Sequence, residues 1–114
     1  MNTAGYTALI IPAESIEPLR LEHLEGLPRD LEHLVGGPVE GIIRGDWHVY
    51  LNADGHSSPP NLRATQLLRE CGADGHLARG TAVFLGRGKQ WEDTDVPEHL
   101  VRLAEQHFGF AQAA

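Results

Sequence analysis

Apolar residues fall along this 114-residue chain in two rhythms, and the changes between them mark the elements. Thr7-Ala8-Leu9-Ile10-Ile11, stopped by Pro12, is short, partly β-branched and apolar on both faces, the pattern of a central strand. Arg20 to Glu25 partly alternates and runs into Gly26, which predicts a second strand. The period then lengthens. Leu27, Leu31, Leu34 and Val35 share a helical face, Pro28 suits a first turn, and Gly36-Gly37 stops the helix. Val39 to Ile43 and Trp47 to Leu51 are β-rich runs joined by Arg44-Gly45-Asp46, a glycine-containing link that predicts a hairpin. The strand leads into Asn52-Ala53-Asp54-Gly55, a turn in which Gly55 takes positive φ and Asp54 bonds its own backbone.

Beyond Pro59-Pro60, Ala64, Leu67, Leu68 and Cys71 fall on one face of a helix over 61–71, with Asn61 as its N-cap and Gly72 at its end. Gly80 to Gly86 is the most strand-like run in the chain. Val96 to Phe108 is the longest helical pattern, capped by Thr94 or Asp95, with Pro97 in its first turn and Gly109 past its end. Its core face is Val96, Leu100, Leu103, Ala104 and Phe108. The order β, β, α, β, β, α, β, α predicts an α+β fold: a mixed or mostly antiparallel sheet of about five short strands with two to three helices packed on it. The tetrapeptide Leu-Glu-His-Leu occurs at 21–24 and at 31–34. Ten residues is shorter than the usual solenoid periods, so the two copies are read as coincidence.

At this length the chain holds one domain, residues 1–114, around one core. A hydrophobic fraction of 41% excludes global disorder. The single cysteine, Cys71, excludes an intrachain disulfide and fits a reducing setting. The N-terminus lacks a basic region, and its apolar run is too short for a signal peptide or a membrane span, so a cytoplasmic location is expected. The formal charge of −7 is uneven: residues 1–60 carry three arginines against nine carboxylates, whereas residues 61–114 are nearly balanced. Such a surface repels phosphate backbones and favours a basic protein partner over nucleic acid or membrane. Glu22, Glu25, Asp30 and Glu32 are the candidate partner-binding carboxylates.

Three phrases together, LVGGPVEGI (34–42), LNADGHSSPPNLRAT (51–65) and GTAVFLG (80–86), resemble a domain family of unknown function from phages, plasmids and actinobacterial genomes. In that family a helix runs into Val-Gly-Gly-x-x-Glu, a hairpin ends in an Asp/Glu-Gly turn, and Pro-x-Asn-x-x-Ala-Thr opens a helix before a glycine-bounded strand. The likeness covers roughly residues 6–88 and leaves out the helix at 96–108; Pro38 departs from the usual large residue. The resemblance implies a mobile-element setting, in the cytoplasm of a bacterial host, and no activity.

The candidate chemistry is sparse. Asn61, Arg63 and Thr65 at a helix start are the candidate anion site, because free N–H groups and the helix dipole favour negative charge there. The competing reading is an N-cap with a solvent-facing arginine or one paired to Glu40. Asn52 and Asp54 could serve calcium, but no EF-hand glutamate follows, and a turn is the simpler reading. Seven histidines, His23, His33, His48, His56, His76, His99 and His107, lack zinc-site spacing and read as surface residues; no metal or cofactor is expected. Ser57 and Ser58 lie outside any Gly-x-Ser-x-Gly, and Cys71 is on an apolar helix face, so no catalytic residue is named. Trp91, in an acidic linker, either staples the last helix to the sheet or anchors a partner.

The expectation is therefore a non-catalytic accessory protein of a phage or mobile element that binds and modulates a host protein, as a counter-defence inhibitor would. The alternative is an oligomeric binder that sequesters an anionic small molecule or nucleotide signal.

Overall fold

The computed structural model describes residues 5–25, 27–73 and 75–109. Gly26, expected to end the second strand, and the side chain of Leu27 lie outside that description. The elements are β1 (Tyr6–Ile11), β2 (Arg20–Leu24), α1 (Leu27–Val35), β3 (Val39–Arg44), β4 (Trp47–Asn52), α2 (Leu62–Glu70), β5 (Ala82–Arg87), β6 (Asp93–Thr94) and α3 (Glu98–Phe108), with a 3-10 turn at Gly55–Ser57. The strands form one sheet in the order β2-β1-β5-β4-β3, and β6 pairs with the far end of β5. Every pairing is antiparallel. The fold is α+β.

Helices cover both faces. On one, α2 and α3 pack Leu67, Leu68, Leu100 and Ala104 against Leu9, Ile11, Val49 and Phe84. On the other, α1 places Leu31 and Val35 over Ala8, Ile10, Val83 and Leu85. This double cover explains why β1 and β5 read as unbroken apolar runs: both of their faces are buried, and a buried leucine, isoleucine or phenylalanine contributes about 1.5–3 kcal/mol. Among the described residues no helix is long and apolar enough to cross a membrane.

The local chemistry departs from expectation at four places. The β3–β4 hairpin pairs Arg44 with Trp47, so its loop is the two residues Gly45 and Asp46 rather than three. Gly45 has φ +52 and Asp46 does not share it, the arrangement of a type II′ turn with glycine first. Gly55 does not take positive φ; it starts the 3-10 turn, buried against the Arg79 carbonyl. The turn before it is closed by Asn52, whose Oδ1 accepts the Asp54 N–H at 2.7 Å, while Asn52 Nδ2 donates to the Val35 carbonyl at the end of α1. Neither Thr94 nor Asp95 caps α3. Pro97 occupies the N-cap without a side-chain bond, and Asp95 Oδ1 instead accepts the Thr7 N–H at 2.8 Å, tying the approach to α3 to β1.

Candidate functional site

Pro59 and Pro60 cannot donate to a ladder, so the approach to α2 is extended and pairs only through what remains. Gly80 N–H reaches the Pro59 carbonyl at 2.9 Å, and Asn61 N–H reaches that of Ala78 at 2.8 Å. Asn61 is thereby delivered, fully buried, to the head of α2. Its Oδ1 accepts the Ala64 N–H at 3.0 Å as an N-cap, and its Nδ2 donates to the Ile11 and Gly80 carbonyls at 2.8 and 2.9 Å. Thr65 Oγ1 donates to the Asn61 carbonyl at 2.8 Å and accepts the Ala78 N–H at 2.9 Å. Arg63 Nη2 donates to the Pro12 and Glu14 carbonyls, both at 2.9 Å, and pins the β1–β2 connection against the helix.

The three residues expected to gather at this helix start do gather, and all three bond to main chain. The nearest charge acting on Arg63 is Glu17; Glu40 lies elsewhere, on β3, which corrects the expected partner. Burial pulls the guanidinium below its ordinary value and Glu17 opposes that. A cleft of about 280 Å³ opens beside Arg63, between Ala13, Glu14, Pro59, Pro60 and the exposed Leu62. Of the Arg63 donors, Nη2 is taken by the two carbonyls, while Nε is buried without a hydrogen-bond partner.

A second polar cluster was not legible in the sequence. His48 is only 5% exposed, so the reading of all seven histidines as surface residues fails here. Trp47, Val49 and Leu51 face α2 and α3; His48 and Tyr50 therefore face α1, where an alternating strand would ordinarily meet water. His48 Nδ1 lies 2.8 Å from Asp93 Oδ1, and the Tyr50 hydroxyl donates to the same oxygen at 2.6 Å. A carboxylate only accepts, so His48 Nδ1 carries the proton in this contact. Nε2 is left buried without a hydrogen-bond partner. Burial first, then the hydrogen bond and charge of Asp93, push the Tyr50 hydroxyl well above its ordinary value, and it remains a donor. His48 Nε2 is sealed off from solvent while the Asp93 carboxylate is partly exposed, and the cluster joins β4 to β6 across β5.

Trp91 does not staple α3. It is 65% exposed at the tip of the β5–β6 hairpin, with φ +69. Gly88 O accepts the Trp91 N–H, and Gly88 N–H bonds the Glu92 carbonyl, which makes Trp91 the left-handed residue of a turn-plus-bulge loop where glycine is usual. The Arg87 guanidinium stacks over the indole at 4.5 Å and is itself fixed by its Nε bond to the Gly45 carbonyl. Glu22 pairs with Arg20 at 3.0 Å, Asp30 Oδ2 accepts the Glu25 N–H, and Glu32 is exposed on α1. Because Leu24 pairs with Tyr6 and Gly86 with Thr94, the β2–α1 joint with Glu25 and Asp30 lies at the same end of the sheet as the Trp91 hairpin. Cys71 is half-buried and its thiol is pushed up to about 11, by burial first and then by Glu70 and Asp46. Comparisons with protein-family models, curated proteins and solved structures return no match.

Proposed function

We propose that this chain is a non-catalytic binding protein that docks on a basic surface of another protein, with Trp91 as its anchor. The observation that carries this is the conformation of Trp91. A non-glycine residue held at positive φ costs on the order of 1 kcal/mol or more. An exposed tryptophan there returns little of that within its own chain, and glycine would serve the loop better. Trp and Arg are the residues most enriched among those that dominate binding energy, and Arg87 already holds the indole in one orientation. Glu25 and Asp30 at the same end of the sheet give the surface the sign that attracts a basic partner. The resemblance to a family carried by phages and plasmids makes a host protein the target, and inhibition of a defence component the purpose.

Affinity capture from host lysate, with wild type and Trp91→Gly compared at rising salt, tests the reading. A protein retained by wild type, released by salt and lost with Trp91→Gly supports it. Equal retention by both forms, or none by wild type at low salt, overturns it.

A further inference from the structure

Among the described residues β3 closes the sheet on its side and pairs with β4 alone. The ladder fixes which of its backbone groups are left over. Ala53 N–H donates to the Pro38 carbonyl at 2.7 Å, and antiparallel pairing alternates bonded with unbonded positions. Glu40, Ile42 and Arg44 therefore turn their backbone groups to β4, and Val39, Gly41 and Ile43 turn theirs outward. The outward Ile43 carbonyl is met by the Arg44 guanidinium of its own strand at 2.8 Å. Proteins usually guard such an edge with proline, lysine or a bulge. Val39–Arg44 has no proline, lysine or bulge; its guards are the charges of Glu40 and Arg44, and Gly41 and Ile43 are exposed.

The side chains of this edge form a charge palindrome. Glu40 and Arg44 stand two residues either side of Ile42, on the face that carries α2 and α3. A second copy laid antiparallel with Ile42 against Ile42 sets each Glu40 opposite the partner's Arg44. The same register sets Gly41 opposite the partner's Ile43, so the residues with outward N–H and C=O groups are the ones that meet. The main chain allows registers that differ by two residues, and the Glu40–Arg44 match selects this one among them, with the Arg44 guanidinium exchanging the Ile43 carbonyl for the partner's carboxylate. No described residue pairs with the Glu40 carboxylate, whereas on the opposite edge of the sheet Arg20 and Glu22 already satisfy each other at 3.0 Å. On the α1 face the partner's Ile43 would stand over Gly41, beside the Tyr50 ring that lies 3.3 Å from where a Gly41 Cβ would be.

We propose that the chain forms a two-fold symmetric dimer by antiparallel β3–β3 pairing centred on Ile42, with each Glu40 registered against the partner's Arg44.

Sedimentation analysis of the full chain at high micromolar concentration should give twice the chain mass of 12.5 kDa. Glu40→Arg and Arg44→Glu each set like charges opposite one another at both ends of the pairing, and each should raise the dissociation constant on the order of tenfold or more. The double variant Glu40→Arg/Arg44→Glu restores opposite charges and should recover dimerisation, which a merely structural role of either residue would not produce. Ile43→Pro removes an outward N–H without touching the β3–β4 ladder and should give a monomer with the circular dichroism spectrum of the wild type. A monomeric wild type overturns the proposal, as does a dimer indifferent to the charge reversals and to Ile43→Pro.

Discussion

The Asn61 side-chain amide donates to the Ile11 carbonyl at 2.8 Å, joining the residue that caps α2 to the last residue of β1 across 50 positions of sequence. The same amide reaches Gly80 just ahead of β5, so one side chain holds three segments in contact. The loss of Asn61 is then more than the loss of a helix cap. Asn61→Ala removes the cap and leaves the Ile11 and Gly80 carbonyls without this donor in a buried place; it should cost about 3 kcal/mol or more in urea unfolding, against about 1 for a cap alone. Asn61→Ser, which can still cap, should fall between.

Arg63→Ala should destabilise by about 1–2 kcal/mol, because two bonds from a charged donor to the Pro12 and Glu14 carbonyls are lost and the exposed part of the group is screened. The same melts with added phosphate examine the anion reading. A gain in stability on removing Arg63, together with loss of phosphate stabilisation in the variant, would show that the guanidinium serves a ligand and not the fold.

Asp93→Asn should cost about 2 kcal/mol, since His48 and Tyr50 both lose a charged acceptor while β4 and β6 stay packed. Tyr50→Phe should cost less. A double-mutant cycle over Asp93→Asn and Tyr50→Phe should give a coupling energy of about 1 kcal/mol, and additivity would show that the 2.6 Å contact contributes nothing.

Trp91→Gly should raise the stability of the isolated chain by about 1 kcal/mol, through release of the left-handed strain less the stacking on Arg87. A destabilised variant would place the indole among the groups that hold the fold.

Cys71 gives the chain a pH signature. Burial raises its thiol from the ordinary 9.0 to about 11, so the folded protein holds this proton more tightly than the unfolded chain does. The stability it confers is complete below about pH 9 and is lost as pH rises to about 11. Cys71→Ala should flatten the fall in melting temperature over that window, and alkylation of wild type at pH 8 should be slow beside that of a free thiol.

How much of this was legible follows from where each signal resides. β1, β5 and the helices could be read because their apolar runs and breakers are local: Gly36-Gly37 after Val35, Pro59-Pro60 before Asn61, Gly109 after Phe108. Leu-Glu-His-Leu shows the limit. At 21–24 it lies in β2, paired with β1, and at 31–34 the same four residues are a turn of α1. Pro28 and the neighbouring strand decide between the two conformations, and the tetrapeptide does not. His48 was misread for a similar reason: its alternation with Trp47 and Val49 is that of a half-exposed strand, and its burial comes with contacts to Tyr50 and to Asp93, 45 residues away. Of the site, Asn61 as a cap was visible from its place after two prolines. Its bond to Ile11, the Asp93 cluster and β6 depend on contacts between residues far apart in the chain and left no local pattern. Trp91 lies in the expected linker, and of its two expected environments the structure removes the staple and leaves the exposed one; nothing in Gly-Lys-Gln-Trp announces that the left-handed position falls on the tryptophan.

The position of β5 between β1 and β4 also orders the chain's assembly in time. β1 with β2, and β3 with β4, are neighbours in sequence and can pair as soon as they are made, yet neither pair bonds to the other. Residues 82–87 must slide between them, bonding on both sides. During synthesis that strand emerges on the order of seconds after β4. In that interval β1 and β4 each present an open inner edge, and a ribosome stalled there would hold two half-sheets ready to pair with whatever strand arrives first. The Trp91 hairpin and the last helix follow that strand in the chain, so the surface that carries the tryptophan is the last of these parts to be made.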